Sequence, residues 1–280
     1  MNDIKLVHQD DTVDYKKILF ERPISKLYTK HIGIVVDKDV NLLKLNKLHK
    51  IIAEFKYDQH IIADNTTKSL GIPAELFLSP QNKKSIYFQN TDIALDILSN
   101  CNYSIVGVGF DGSSKMQLFI EKTIESSNTV LVLYPKCVEL FKTSQDILNG
   151  REDDVIFCNL NSLKKMIKYL KINDNFSTNY SVLNIASILA SISAGLKCNI
   201  VYYNDCQILF SSFVDPCLVG IINFDIKFIN RFMNEFVAIF VCLLCDSRNE
   251  KEDIMVRFLT AGYLLKIYIN SYSEFKLQLS

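Results

Sequence analysis

Two short runs, TVLVLY at residues 129–134 and DVIFC at 154–158, are apolar almost throughout, with no polar residue at alternate positions. A strand with one wet face alternates apolar and polar side chains. An unbroken β-branched run instead fits a strand covered on both faces, the situation of a parallel sheet between two helix layers. Shorter runs of similar character recur at HIGIVVD (31–37), QHIIAD (59–64), YSIVGVGF (103–110), NIVYY (199–203) and QILFSS (207–212), and KSIYFQN (84–90) is a further strand candidate.

Helical patterns fall between these runs. Val40 to Phe55 carries Leu42, Leu43, Leu45, Leu48, Ile51, Ile52 and Phe55 on one broad apolar face, the 3.6-residue spacing of an amphipathic helix. Thr91 or Asp92 is placed to cap a helix through Leu98. SKMQLFIEKTIES (114–126), NSLKKMIKYLK (161–171) and YSVLNIASILASISAGL (180–196) predict three more, and two C-terminal helices fit Phe232–Cys245 and Lys251–Ile269. Pro73 in LGIPAELFL ends one element or opens another. Strands alternating with helices give an α/β fold with a mainly parallel, doubly covered sheet. No Gly-, Pro- or Ser-rich linker and no internal repeat divides the chain, so residues 1–24 are expected to form a polar lead-in and 25–280 a single domain.

The charges narrow the function classes. Lys and Arg together number 31, as do Asp and Glu, so no net field favours nucleic acid or an anionic membrane surface. The longest apolar run, FVAIFVCLLC at 236–245, is far short of a membrane span and is bracketed by Glu235 and Asp246, which reads as a buried core helix. The eight cysteines sit mostly inside apolar runs, as small hydrophobes do in a reducing cytoplasm, and the polar N-terminus has no secretory character. Cys242 and Cys245 form a C-x-x-C, but within a helix of apolar neighbours, where packing explains them better than redox chemistry. None of the four histidines pairs in sequence with another His or a Cys at metal spacing, so no metal is expected. The series Lys164, Lys165, Lys168 and Lys171 fits a solvated helix face.

Two features hold potential chemistry. The loop carrying Gly107, Gly109 and Gly112 joins a strand to a helix, where α/β sheets bind ligands, yet its spacing is neither a dinucleotide fingerprint nor a P-loop. It reads either as a tight turn needing positive φ or as a ligand-facing loop. Glu235 opens the apolar helix, where a carboxylate complements the helix dipole or acts as a general base facing a cleft.

The linear order of these segments resembles the NAD(P)H-hydrate dehydratases, a family with a ribokinase-like three-layer α/β/α domain and a mainly parallel central sheet. ERPISKLYTKHIGIVVD is similar to the family opening, with Arg22, Pro23 and Gly33 retained, and IPAELFL to its Pro-Glu segment. IVGVGFDGSS resembles its Gly-Pro-Gly-Leu-Gly loop, keeping Gly107 and Gly109 with Val108 in place of Pro. The chain departs from the family elsewhere. Its two Asp fall on Tyr134 and Lys136, its Thr-Pro-His-Pro-Gly-Glu segment on residues 157–162, and its Leu-Lys-Gly on Val201, Tyr202 and Tyr203. Its Gly-Gly-Ser-Gly-Asp signature falls on Arg231, Phe232, Met233, Asn234 and Glu235.

The resemblance implies ADP or ATP as cofactor, an NAD(P)H hydrate as substrate and a carbon–oxygen lyase reaction. It assigns Glu235 as the base and places Gly107, Gly109, Gly112 and Asn234 at the nucleotide and substrate. A phosphoryl-binding turn needs backbone amides unobstructed by side chains, and Phe232 and Met233 put bulk there. The reading that follows is a diverged family member with eroded catalysis and a residual role in binding a small-molecule nucleotide or a protein partner, with a homo-oligomer as a family expectation. Two alternatives stand beside it: an active ADP/ATP-dependent NAD(P)H-hydrate dehydratase, and an unrelated soluble α/β protein.

Overall fold

The computed structural model describes residues 4–9, 30–80, 88–112, 114–143, 146–148, 150–172, 181–225, 227, 229–246 and 254–279. Arg22, Pro23 and most of KSIYFQN lie outside the described residues. An 11-stranded sheet runs through the molecule in the order β1-β11-β10-β9-β8-β7-β6-β2-β3-β4-β5. Its centre is β9 (Asn199–Tyr203), β8 (Val155–Cys158), β7 (Val130–Leu133), β6 (Tyr103–Val108), β2 (His31–Val36), β3 (Asp58–Asp64) and β4 (Leu76–Pro80), all paired in parallel. Among the described residues antiparallel pairs occur only toward the edges, where β10 (Gln207–Ser211) lies between β9 and β11 (Leu218–Asn223) and β5 (Phe88–Gln89) follows β4.

Part of the expected lead-in is structured. Lys5–His8 forms β1, an edge strand parallel to β11 with Leu6 opposite Val219 and Val7 opposite Gly220. Four residues with two apolar side chains give no periodic signal by themselves; the partner strand supplies the order.

Helices cover both faces, and each face has its own core. On one side, α1 (Leu42–Glu54), α6 (Met233–Cys245), α7 (Ile254–Asn270) and α8 (Tyr272–Leu279) bury Leu48, Ile52, Phe236, Phe240 and Phe258 against the sheet. The rings of Phe157, Phe210, Phe236, Phe240 and Phe258 pack together with centroids 5.0–6.5 Å apart, a range that favours tilted and offset aromatic contacts. On the other side, α2 (Thr91–Ser99), α3 (Ser114–Ser126), α4 (Leu160–Tyr169), α5 (Val182–Leu196) and a short 3-10 helix at Pro135–Lys142 bury Leu98, Phe119, Ile120, Leu163 and Leu189. The result is a three-layer α/β/α sandwich. Cys242 and Cys245 are buried in α6, as packing predicts. No helix among the described residues is long and apolar enough to cross a membrane.

Strand order reverses between β2 and β6. From β2 the chain proceeds through α1 to β3 and β4 on one side, then returns to β6 on the other and continues to β7, β8 and β9. Loops leaving the carboxyl ends of such neighbours diverge and open a crevice, which is where α/β sheets hold ligands.

Candidate functional site

A cavity of about 320 Å³ opens at this reversal and extends over the carboxyl ends of β6 to β9. A second, of about 710 Å³, adjoins it and shares Lys44, Asn159, Tyr203 and Asn230 with it. Both volumes fall in the range of small-molecule sites. Gly107, Gly109 and Asn234 line the first cavity, so the structure brings three of the five sequence-predicted residues together.

The glycine loop serves its own packing first. Gly107 has φ +90°, and a Cβ there would overlap Cys137 Sγ. Gly109 has φ +75°, and a Cβ there would lie 2.6 Å from Val40 Cα and 2.9 Å from the Asp37 carbonyl oxygen. The loop is thus pressed against the turn from β2 into α1, tied by Asp37 N–H donating to the Val108 carbonyl at 2.8 Å. Gly112, at φ +90°, has open space around its Cα and does not line either cavity. The turn reading explains all three glycines, while two of them also form the cavity wall.

Glu235 is not brought to the cavity. It lies in the first turn of α6, but it faces α1, fully buried, with Oε1 2.8 Å from Lys47 Nζ. The pair is not aligned as a hydrogen bond, and neither carboxylate oxygen has a hydrogen-bond partner among the described residues. Lys47 is half exposed, lies 5.6 Å from the centre of the Phe232 ring, and is held above the usual lysine range first by its contact with Glu235. Successive residues on a helix point about 100° apart, so Met233 and Asn234 face the cavity while Glu235 cannot. The carboxylates that do line the cavities are Asp39 in the first and Asp205 in the second.

The positions at which the chain departs from the resembled family nevertheless converge. Tyr134 and Lys136 leave β7, Phe157 and Asn159 leave β8, Tyr203 ends β9, and all five line the first cavity with Asn234. Tyr134 Oη donates to Asn234 Oδ1 at 3.2 Å. Burial drives the Tyr134 hydroxyl well above the usual tyrosine range. Tyr203 is pushed up to about 12, also by burial, against a side-chain hydrogen bond from Asn159. Both hydroxyls therefore stay protonated near neutral pH; the Tyr134 proton is taken by Asn234, while Tyr203, which accepts from Asn159, keeps its proton to donate to a ligand acceptor.

The charge around the opening favours an anion. Lys44 and Lys136 line the first cavity, Lys44 and Arg231 the second. Three helix N-termini meet here. Asn41 caps α1 by accepting from Lys44 N–H at 3.2 Å, and Asn159 caps α4 by accepting from Ser162 N–H at 3.0 Å. At α6 the capping position is Phe232, which makes no side-chain cap. The positive ends of these dipoles add to the three cations.

Several of these residues had no functional signal in the sequence. Asn41 and Asn159 each stand a few residues or less beyond a buried strand and directly before a helix, a pattern that marks the carboxyl edge. Nothing local distinguishes Lys44, Asn230 or Arg231.

No protein-family model matches the chain, and no curated protein matches it in sequence. Solved structures do match in fold. A hypothetical protein of Streptococcus mutans superposes with a TM-score of 0.65 at 8% identity over 95% of this chain and 98% of its own. A ribokinase-like superfamily protein of Enterococcus faecalis gives 0.65 at 10% identity over 98% and 94%. An ADP/ATP-dependent NAD(P)H-hydrate dehydratase of Bacillus subtilis, co-crystallised with ATP and Mg²⁺ and soaked with CoA, gives 0.51 at 10% identity over 95% and 94%. The chain has the ribokinase-like fold.

Proposed function

We propose that this chain binds an anionic, nucleotide-class small molecule in the cleft at the carboxyl edge of its sheet, and that the elimination chemistry of the dehydratases it resembles has been lost. One observation carries the loss. The carboxylate that the resemblance assigns as base, Glu235, is sealed between α6 and α1 by Lys47, while its neighbours Met233 and Asn234 face the cavity. A base must come within hydrogen-bond reach of the proton that it removes, and this one has no path to a ligand. The turn before α6 supports the same reading, because the resemblance aligns Phe232 and Met233 with positions whose bare amides would cradle a phosphoryl group.

Retained binding is supported by the geometry that remains. Lys44, Lys136 and Arg231 surround cavities whose walls include the hydroxyl donor of Tyr203 and the side chains of Tyr134, Asn159, Asn230 and Asn234. Calorimetric titration with ADP, ATP and NADPH tests this half, and conversion of hydrated NADH with ADP present tests the other. Saturable binding without turnover agrees with the proposal. Absence of binding by all three nucleotides overturns the first half, and turnover overturns the second.

An active dehydratase is the second reading, favoured by the position of Asp39 in the first cavity. It requires turnover by the unaltered protein that Asp39→Asn abolishes and Glu235→Gln leaves unchanged.

A further inference from the structure

At the opposite, amino-terminal edge of the sheet, two histidines that are 29 residues apart in sequence meet on adjacent strands. His31 begins β2 and His60 is the third residue of β3, with Gly33 directly opposite His60 in the register. The two imidazoles meet side by side: His31 Nδ1 lies 2.9 Å from His60 Nε2, with ring centroids 5.1 Å apart. The other nitrogen of His60, Nδ1, lies 2.6 Å from Glu75 Oε2, and the backbone N–H of His31 donates to Asn102 Oδ1 at 3.0 Å.

The carboxylate fixes the tautomer. Glu75 accepts from Nδ1 of His60, so the lone pair of neutral His60 is on Nε2, directed at His31. A carboxylate behind a histidine whose free nitrogen faces a second donor is the outer-shell arrangement of metal-binding histidines. The spacing agrees. In the metal-free pair the 2.9 Å separation is an N–H···N hydrogen bond from His31 Nδ1 to His60 Nε2. Two cis nitrogens at about 2.0–2.1 Å from one ion, at a right angle, stand the same distance apart, so an ion would replace this hydrogen bond as each ring turns its lone pair off the N–N line. A shift of the His31 proton from Nδ1 to Nε2 frees its facing lone pair with no net proton released. Among the described residues no group of three His, Cys, Asp or Glu side chains converges, so water would complete the coordination. Two imidazoles with open positions suit an ion of tetragonal preference over one that needs a closed tetrahedron, and affinity for such nitrogen sites rises toward copper.

We propose that His31 Nδ1 and His60 Nε2 form a binding site for a late first-row divalent cation, Cu²⁺ and Ni²⁺ ahead of Zn²⁺, with Glu75 as the positioning residue. The site lies at the far end of the strands from the cleft and does not depend on any reading of it.

Titration of the full chain with Ni²⁺ tests the proposal, followed by calorimetry and by paramagnetic broadening of the histidine resonances. The expected result is one saturable equivalent, selective broadening of His31 and His60, and sharp resonances for His49, whose Nδ1 is engaged by Gln59 Oε1 at 2.8 Å. His31→Ala and His60→Ala should each weaken binding at least tenfold. Glu75→Gln should weaken it by about ten- to a hundredfold with the same two rings still broadened, whereas His49→Ala should change nothing. The mapping on unaltered protein needs no variant to fold. Absence of saturable binding, broadening elsewhere than at these two rings, or undiminished affinity in either alanine variant overturns the proposal.

Discussion

Replacing Lys47 by Met leaves the Glu235 carboxylate fully buried beneath α1 with no counter-charge, whereas replacing Glu235 by Gln leaves Lys47 half exposed and free to turn its ammonium into water. The two partners of one ion pair are therefore expected to differ sharply. Stranding a buried charge costs about 3–5 kcal/mol, which for a domain of this size lowers Tm by roughly 10 °C. Gln keeps the shape of Glu235 and removes the buried charge, leaving a neutral buried amide at a cost of about 1 kcal/mol. The double variant Lys47→Met/Glu235→Gln should recover most of what Lys47→Met loses, giving a coupling of about 2 kcal/mol or more. Urea unfolding of the four proteins at pH 7 measures this cycle, and nucleotide titration of Glu235→Gln completes the test. If Glu235 is structural, its affinity stays within about threefold of the unaltered protein, below about 0.7 kcal/mol. Equal costs for the two single variants, or a folded Glu235→Gln that has lost binding, would refute this placement of the carboxylate.

The glycine loop gives a second contrast: Gly109→Ala combines a positive φ with overlap on Val40 and should cost about 2 kcal/mol or more, whereas Gly112→Ala, with open space, should cost about 1 kcal/mol, both read by urea midpoint. Asp37, buried at the end of β2 with Oδ2 unpartnered, is raised from 3.8 to about 6, mainly by burial. Its folded form holds a proton that the unfolded chain gives up, so the associated stability is full below about pH 4 and is lost as pH rises through 6, by about 3 kcal/mol. Asp37→Asn keeps the acceptor for Lys38 N–H at 2.7 Å and should stabilise the fold at pH 7 while flattening the slope between pH 4 and 6. Asp154, also pushed up to about 6 by burial, keeps part of that slope. In the cleft, Lys44→Ala should weaken ADP binding at least tenfold and steepen no salt dependence, since its removal takes a cation away from both cavities.

The central strands were legible because their environment is written in their residues. Val130–Leu133 and Val155–Cys158 are apolar on both sides and lie between two helix layers, as TVLVLY and DVIFC predict. The first helix and the buried character of α6 follow from spacing in the same way. What sequence could not supply was whatever a distant partner decides. Lys5–His8 is a strand only because β11 lies beside it. Gly109 requires glycine because Val40 is packed on it, not because a phosphate is. Glu235 occupies the dipole-favoured first turn, but its direction is set by Lys47 on a helix nearly 190 residues earlier in the chain. His31 and His60 become neighbours through the β2–β3 register, which no local spacing reveals.

Calorimetric titration of ADP into the unaltered protein, Lys44→Ala and Glu235→Gln side by side tests the proposal that the cleft binds a nucleotide without using Glu235. Saturable binding to the unaltered protein is expected, with affinity reduced at least tenfold in Lys44→Ala and preserved in Glu235→Gln. Absence of binding to the unaltered protein, or binding that depends on Glu235 and not on Lys44, would contradict it.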